Sequence, residues 1–256
     1  MTDFPAPPPP PPDHLMPPPG YVPYGGYGAV SGNFQKIGGL TKWLVGLMCV
    51  TAATQAISLL VQLTLRSKAA DYLNSDISSS EFTDDIAVYA LVALLAAGIA
   101  IGQLVVLIIW TFRMAKNHLV LGRSPQSFSA GATIAVNILG GCTLGIINFF
   151  MWREMWKASD PDTAPGDPSW KQRAVSPLVA AQLAITLGSV VLGVALGVSG
   201  INGIGTNTNS EDFAKNLDDK LGFVVGAGAL GIASAVVFIM LVRQLGARHM
   251  KATREA

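Results

Sequence analysis

Three histidines, His14, His118 and His249, are the side chains best suited by type to hold a metal or move a proton, and they stand far apart in the chain. Only His118 and His249 can meet, because each closes an apolar run with a basic stretch, "IIWTFRMAKNH" and "FIMLVRQLGARH". Two imidazoles fall short of the three or four convergent ligands a metal needs. Cys49 and Cys142 both lie inside apolar runs, so neither a metal site, a cofactor nor a disulfide is expected. The stretch "GAGALG" (226–231) matches the dinucleotide fingerprint G-x-G-x-x-G, but that loop requires a preceding strand and an aqueous helix N-terminus. Here it sits in an uncharged run, where helix packing is the better reading. No G-x-S-x-G elbow occurs, and no carboxylate falls within the apolar runs, which argues against a serine hydrolase and against proton- or ion-coupled transport. The chain reads as non-enzymatic.

Two polar constellations remain. Arg153, Glu154, Trp156 and Lys157, in "FFMWREMWKASDPD", form the densest charged cluster beside an apolar run. It suits either an interfacial helix with snorkelling cations or a surface for a protein or lipid partner. Gln55, Gln62, Gln103, Asn137, Asn148 and Gln182 lie inside the apolar runs. They could line a passive pore, or hydrogen-bond between helices.

The elements that must position these residues follow from charge. Half the residues are hydrophobic and 13% are charged. Residues 43–65, 86–112, 128–150, 178–200 and 221–242 contain no Asp, Glu, Lys or Arg, and each run exceeds the roughly 20 residues that cross a bilayer. The expected fold is therefore all-α and membrane-integral, without a cleavable signal peptide. If all five runs cross, Lys and Arg divide seven to ten between the two sides. If 128–150 turns back, they divide thirteen to four, with both termini in the cytoplasm. The second arrangement has the strong basic bias that sets orientation, and it puts Trp43, Trp110, Trp152, Trp156 and Trp170 at one interface. Four transmembrane helices are thus expected, as pairs over 40–112 and 178–242. Between them, 113–177 carries a re-entrant or flat-lying helical hairpin, with arms near 129–139 and 142–152 that bend at Gly140–Gly141. Residues 243–256 read as a basic cytoplasmic tail.

Eleven of the sixteen prolines fall in residues 1–23, followed by "YGGYG", so 1–39 reads as a disordered cytoplasmic tail. It is either a spacer or a docking strip for a proline- or tyrosine-reading partner. The pairs Gly98/Gly102, Gly141/Gly145, Gly193/Gly197 and Gly222/Gly226 have the G-x-x-x-G spacing that lets helices approach, within the bundle or in a homo-oligomer. The basic residues are too dispersed for nucleic acid. Similar segments in the two halves, "ATQAISLLVQL" with "AAQLAITLGSV" and "SSEFTDDI" with "NSEDFAKNLDD", are compatible with an internal repeat.

The run from "WTFRMAKNHLVLG" through "FSAGATIAVNILGGCTLGIINFFMWREMWKASDPD" resembles the core of the actinobacterial membrane proteins grouped as domain of unknown function 4328. The family's aromatic–Arg–Asn–Leu–Gly segment, its Asn-bearing apolar stretch and its closing E-x-W-x-A-S-D-P signature fall on Trp110, Arg113, Asn117, Leu119, Gly122, Asn148, Glu154, Trp156, Ser159, Asp160 and Pro161. Where such proteins often carry prolines and tryptophans in the middle stretch, this chain carries glycines. The resemblance implies a bacterial plasma membrane and supplies no activity. The expected role is an interaction or scaffold protein, with a passive channel or small-solute permease as the alternative.

Overall fold

The computed structural model of the chain describes residues 33–204, 210–211, 214–215 and 221–255. Among them are six α-helices, here α1 (Gly38–Leu73), α2 (Ser79–Val120), α3 (Ala130–Leu139), α4 (Ile146–Ala158), α5 (Pro177–Ile204) and α6 (Leu221–Thr253). Helices α1, α2, α5 and α6 are long and apolar enough to cross a membrane. Helix α1 packs against both α2 and α6, α5 packs on α6, α3 on α2, and α4 on α5.

The helices outrun the uncharged segments. At 1.5 Å per residue α1 and α2 are roughly 54 and 63 Å long, about twice the hydrocarbon thickness. What reads as an outer loop over 66–85 is mostly helix, with only 74–78 between α1 and α2. Hydropathy marks where lipid ends, and Arg, Lys and Glu are good helix formers beyond that point. The extension has its own small core of Leu65, Ala69, Phe82 and Ala214, with Tyr72 stacked on Phe82 at 5.0 Å. Residues 243–253 are likewise the end of α6 and no tail, since Leu245 and His249 are fully buried. At the other terminus, residues 1–32 of the proline-rich stretch lie outside the described residues. Residues 33–37 are packed, with Ile37 completely buried, so the expected tail boundary at 39 is too late.

Segment 128–150 turns back. Glu154 near the end of α4 accepts from the Ser127 and Phe128 backbone N–H groups at 2.9–3.2 Å, just before α3 begins. Arg123, ahead of α3, bonds the Ala158 carbonyl that ends α4. Both feet of the hairpin therefore stand at one end of the bundle, the end where α1 starts and α6 finishes. The hairpin runs alongside the long helices. Asn137 donates to Thr111, nine residues before the end of α2, and Gly145 abuts Thr186, nine residues into α5. Along the helix axes these points lie about 14 Å from the end of α2 and from the start of α5, so the hairpin runs into the bundle beside both helices.

The reversal is displaced from the double glycine. Gly140–Thr143 form a 3-10 turn that continues α3, and the chain reverses at Leu144 (φ 53°) and Gly145 (φ 78°). Gly140 matters for another reason, since a Cβ there would come within 1.8 Å of Asn148 Oδ1. The bend satisfies its own backbone, with Leu144 N–H donating to Gly141 and Gly145 N–H to Gly140, as a turn at membrane depth must.

The tryptophans also differ from a lipid-facing belt. Trp110, Trp152 and Trp170 are buried, and only Trp43 stands well exposed. The hairpin fills this end of the bundle, so the indoles pack around it, Trp110 beside Trp152 (6.3 Å) and Trp152 edge-on to Phe238 (5.5 Å). Among the glycines, "GAGALG" does pack helices, with Gly226 against Leu192, Gly228 against Leu59 and Gly231 against Gln55. Among the described residues Gly98, Gly102, Gly193 and Gly222 would meet no atom within 4 Å, so those four glycines bring no described helices together.

Candidate functional site

Helices α2 and α6 end side by side, and the turn after α4 closes over them. Their last residues build a buried polar junction. Asn117 Oδ1 accepts from the Gln35 N–H (2.7 Å), and Asn117 Nδ2 donates to the Gln35 carbonyl (2.9 Å). That fixes the amide's orientation, so Nδ2 also donates to His249 Nε2 at 3.0 Å. His249 Nδ1 must then carry the proton and donate to Ser159 Oγ (3.0 Å), which also bonds His118 Nε2 (2.9 Å). The backbone of Gln35 thereby sets the tautomer of His249, whose ring sits edge-on to that of His118 at 5.1 Å. A serine between two histidines has the parts of an activated nucleophile, yet Ser159 and His249 are both wholly buried. The hydroxyl links the turn after α4 to the ends of α2 and α6.

A second set of bonds surrounds the first. Arg123 has no exposed surface, and its guanidinium donates to the carbonyls of Ala158 (3.2 Å), Asp160 (3.2 Å), Thr163 (2.7 Å) and Ala164 (2.8 Å). Burial pushes its pKa down from the usual value, and the carboxylates of Asp160 and Asp167 oppose that shift. Asp160 pairs with Arg248 of α6, with Arg173 ahead of α5 (2.8 Å), and accepts from Thr163. Glu255 accepts from the N–H groups of Ile37 and Gly38. Gly122 (φ 67°) lets the loop pass Gly166, whose N–H bonds the Leu121 carbonyl at 3.0 Å.

The four residues expected to form a partner surface separate into two places. Arg153, Glu154 and Lys157 line a groove of about 510 Å³ with Pro125, Ser127, Phe128, Ile147, Phe150, Trp170 and Lys171. Trp156 lies apart, with the Arg248 guanidinium 5.3 Å above its ring. Glu154 is engaged within the fold through the Ser127 and Phe128 amides.

The intramembrane amides also fall into separate sets. Asn137, Asn148 and Gln182 border a cavity of about 240 Å³ between the hairpin, α2, α5 and α6. Gln55 and Gln103 border another, of about 220 Å³, with Thr51, Ser189 and Ser234. Phe238 lines both. Several amides bond between helices, Gln103 with Thr51 (2.7 Å) and Gln182 with Ser234 (3.0 Å), as Gln62 does with Tyr89 (3.0 Å). The side-chain oxygens of Gln55, Asn137, Asn148 and Gln182 have no protein partner among the described residues.

Sequence reasoning singled out His118 and His249 as able to meet, and they do. Asn117, Ser159 and Asp160 entered only through the family resemblance, and Arg123 and Arg248 only as charges that set topology. The signal that joins them is the "ASDPD" turn, whose small and acidic residues follow an amphipathic helix.

The fold and junction define a multi-pass helical membrane protein with a re-entrant or interfacial hairpin clamped at its feet. No family model matches this chain, and no curated protein or solved structure matches it.

Proposed function

We propose that this is a non-enzymatic interaction or scaffold protein of a bacterial plasma membrane, with both termini in the cytoplasm. The observation that carries the reading is the clamp on residues 35–38. Their backbone is held by Asn117 from α2 and by Glu255 beyond α6, with Arg113 adding a bond to the Lys36 carbonyl. The proline-rich segment therefore leaves from a fixed base, which suits a segment that presents itself to a cytoplasmic protein. The thirteen-to-four division of basic residues supports the orientation.

The test is co-purification from native membranes of the full chain beside one lacking residues 2–32. A partner is expected with the full chain only, with equal thermal midpoints for the two. Identical partner sets would overturn the scaffold role. The two polar cavities favour a second reading, a passive small-solute permease, which solute flux into liposomes containing the purified chain would reveal.

A further inference from the structure

The groove between the loop before α3, helix α4 and the 3-10 turn Pro168–Gln172 changes character along its length. Ile147 and Phe150, toward the hairpin bend, are both partly exposed. Over the next two turns of the same face come Glu154, Arg153 and Lys157, and Lys171 joins them from the 3-10 turn. Counting three cations against one carboxylate leaves the groove doubly positive, and that carboxylate is already engaged by two backbone amides. Lys157 donates to the Lys171 carbonyl (2.7 Å), which holds the two lysine-bearing segments together. Trp170, 2% exposed, also lines the groove, and the Lys171 ammonium stands 5.6 Å from its ring centre.

We infer that this groove seats the headgroup phosphate of an acidic phospholipid. The Arg153, Lys157 and Lys171 cations meet the phosphate, and one acyl chain lies along Ile147 and Phe150. A lipid fits better than a free phosphate because the apolar half would be wasted on an inorganic ion. It fits better than an acidic peptide because Ile147 and Phe150 extend the groove toward hairpin depth. The inference rests on the groove's charged and apolar ends and does not depend on the scaffold role.

The test is the thermal midpoint of the purified full-length chain in detergent, titrated with dioleoyl phosphatidylglycerol, dioleoyl phosphatidylcholine or inorganic phosphate. Only the acidic lipid is expected to raise the midpoint. The double variant Arg153→Gln/Lys171→Gln changes two exposed side chains, so it should fold normally. It should bind the acidic lipid roughly thirtyfold more weakly, at about 1 kcal/mol for each surface cation. Lys42→Gln/Lys116→Gln removes two charges at the same end of the bundle but outside the groove, and should bind like the wild type. Equal stabilisation by phosphatidylcholine, reproduction of the shift by inorganic phosphate, or undiminished binding by the groove variant would each overturn the inference.

Discussion

Arg123→Met is the substitution that most directly tests whether the hairpin is held by its feet. The guanidinium makes four hydrogen bonds to main-chain carbonyls spread over Ala158–Ala164, the turn that leaves α4. Methionine fills similar volume and donates nothing. Each bond from a charged donor contributes about 1.5–3 kcal/mol net, but the four are not additive, because the freed turn can move toward water. The expected loss is about 3–5 kcal/mol, in the range found when one partner of a buried charged cluster is removed. Arg123→Lys should lose most of the same amount, since an ammonium cannot reproduce the planar fork that reaches four acceptors. Exposed Arg153→Met serves as the control and should change stability by less than about 0.5 kcal/mol. Unfolding in mixed micelles with increasing denaturing detergent reads all three. If Arg123→Lys were as stable as the wild type, the fork geometry would carry no weight and this account of the hairpin's anchorage would fail.

Gly145→Ala should destabilise by about 2 kcal/mol or more, because its φ of 78° is left-handed and a Cβ would stand 2.9 Å from Thr186 Cγ2. Gly141→Ala, with nothing within 4 Å, should change stability by less than about 1 kcal/mol; the reverse ranking in the same unfolding assay would place the reversal at the double glycine. Hydrogen bonds from the Ser169 N–H and hydroxyl hold the Asp167 carboxyl below its usual range. Its contribution is therefore present above the unfolded value near 3.9 and lost as pH falls through the lower folded value, so Asp167→Asn should flatten this part of the thermal midpoint's acid limb below about pH 4. With Cys49 and Cys142 replaced by serine, a cysteine at exposed Ser79 should react with an impermeant maleimide in intact cells. Cysteines at exposed Ser124 or Ala164 should react only after permeabilisation, and labelling of Ala164→Cys but not Ser124→Cys from outside would mean that 128–150 crosses.

The spans and the hairpin were legible because the bilayer imposes a one-dimensional rule on composition. An uncharged run must be buried in lipid, and the count of Lys and Arg on either side then exposes a segment that fails to cross. The helix ends were not legible in this way. Arg66, Asp71 and Glu81 leave the lipid without leaving the helix, and nothing in hydropathy distinguishes those two events. The junction was still less visible. Gln35 meets Asn117 across 82 residues, Ser159 meets His249 across 90, and Asn117 meets His249 across 132. Such pairings have no local period, so each side chain read singly resembles an ordinary polar helix end. Arg123 shows the point most sharply. It counts as one positive charge in the threading argument, and in three dimensions it is among the largest fully buried side chains of the fold.

The junction also has a history within each molecule's synthesis. Its acceptors and donors emerge from the ribosome far apart in time. Ser159 precedes His249 by 90 residues, which at roughly 5–20 residues per second is about 5–18 s of translation. Ile37 precedes Glu255 by 218 residues, so at the same rate the N-terminal stem waits about 11–44 s for that partner. Throughout that interval the hairpin's feet and the ends of α1 and α2 carry unmatched polar groups beside the membrane. A chain cut before Glu255 would thus leave the Ile37 and Gly38 N–H groups unmatched, so damage beyond α6 would be felt at the start of α1.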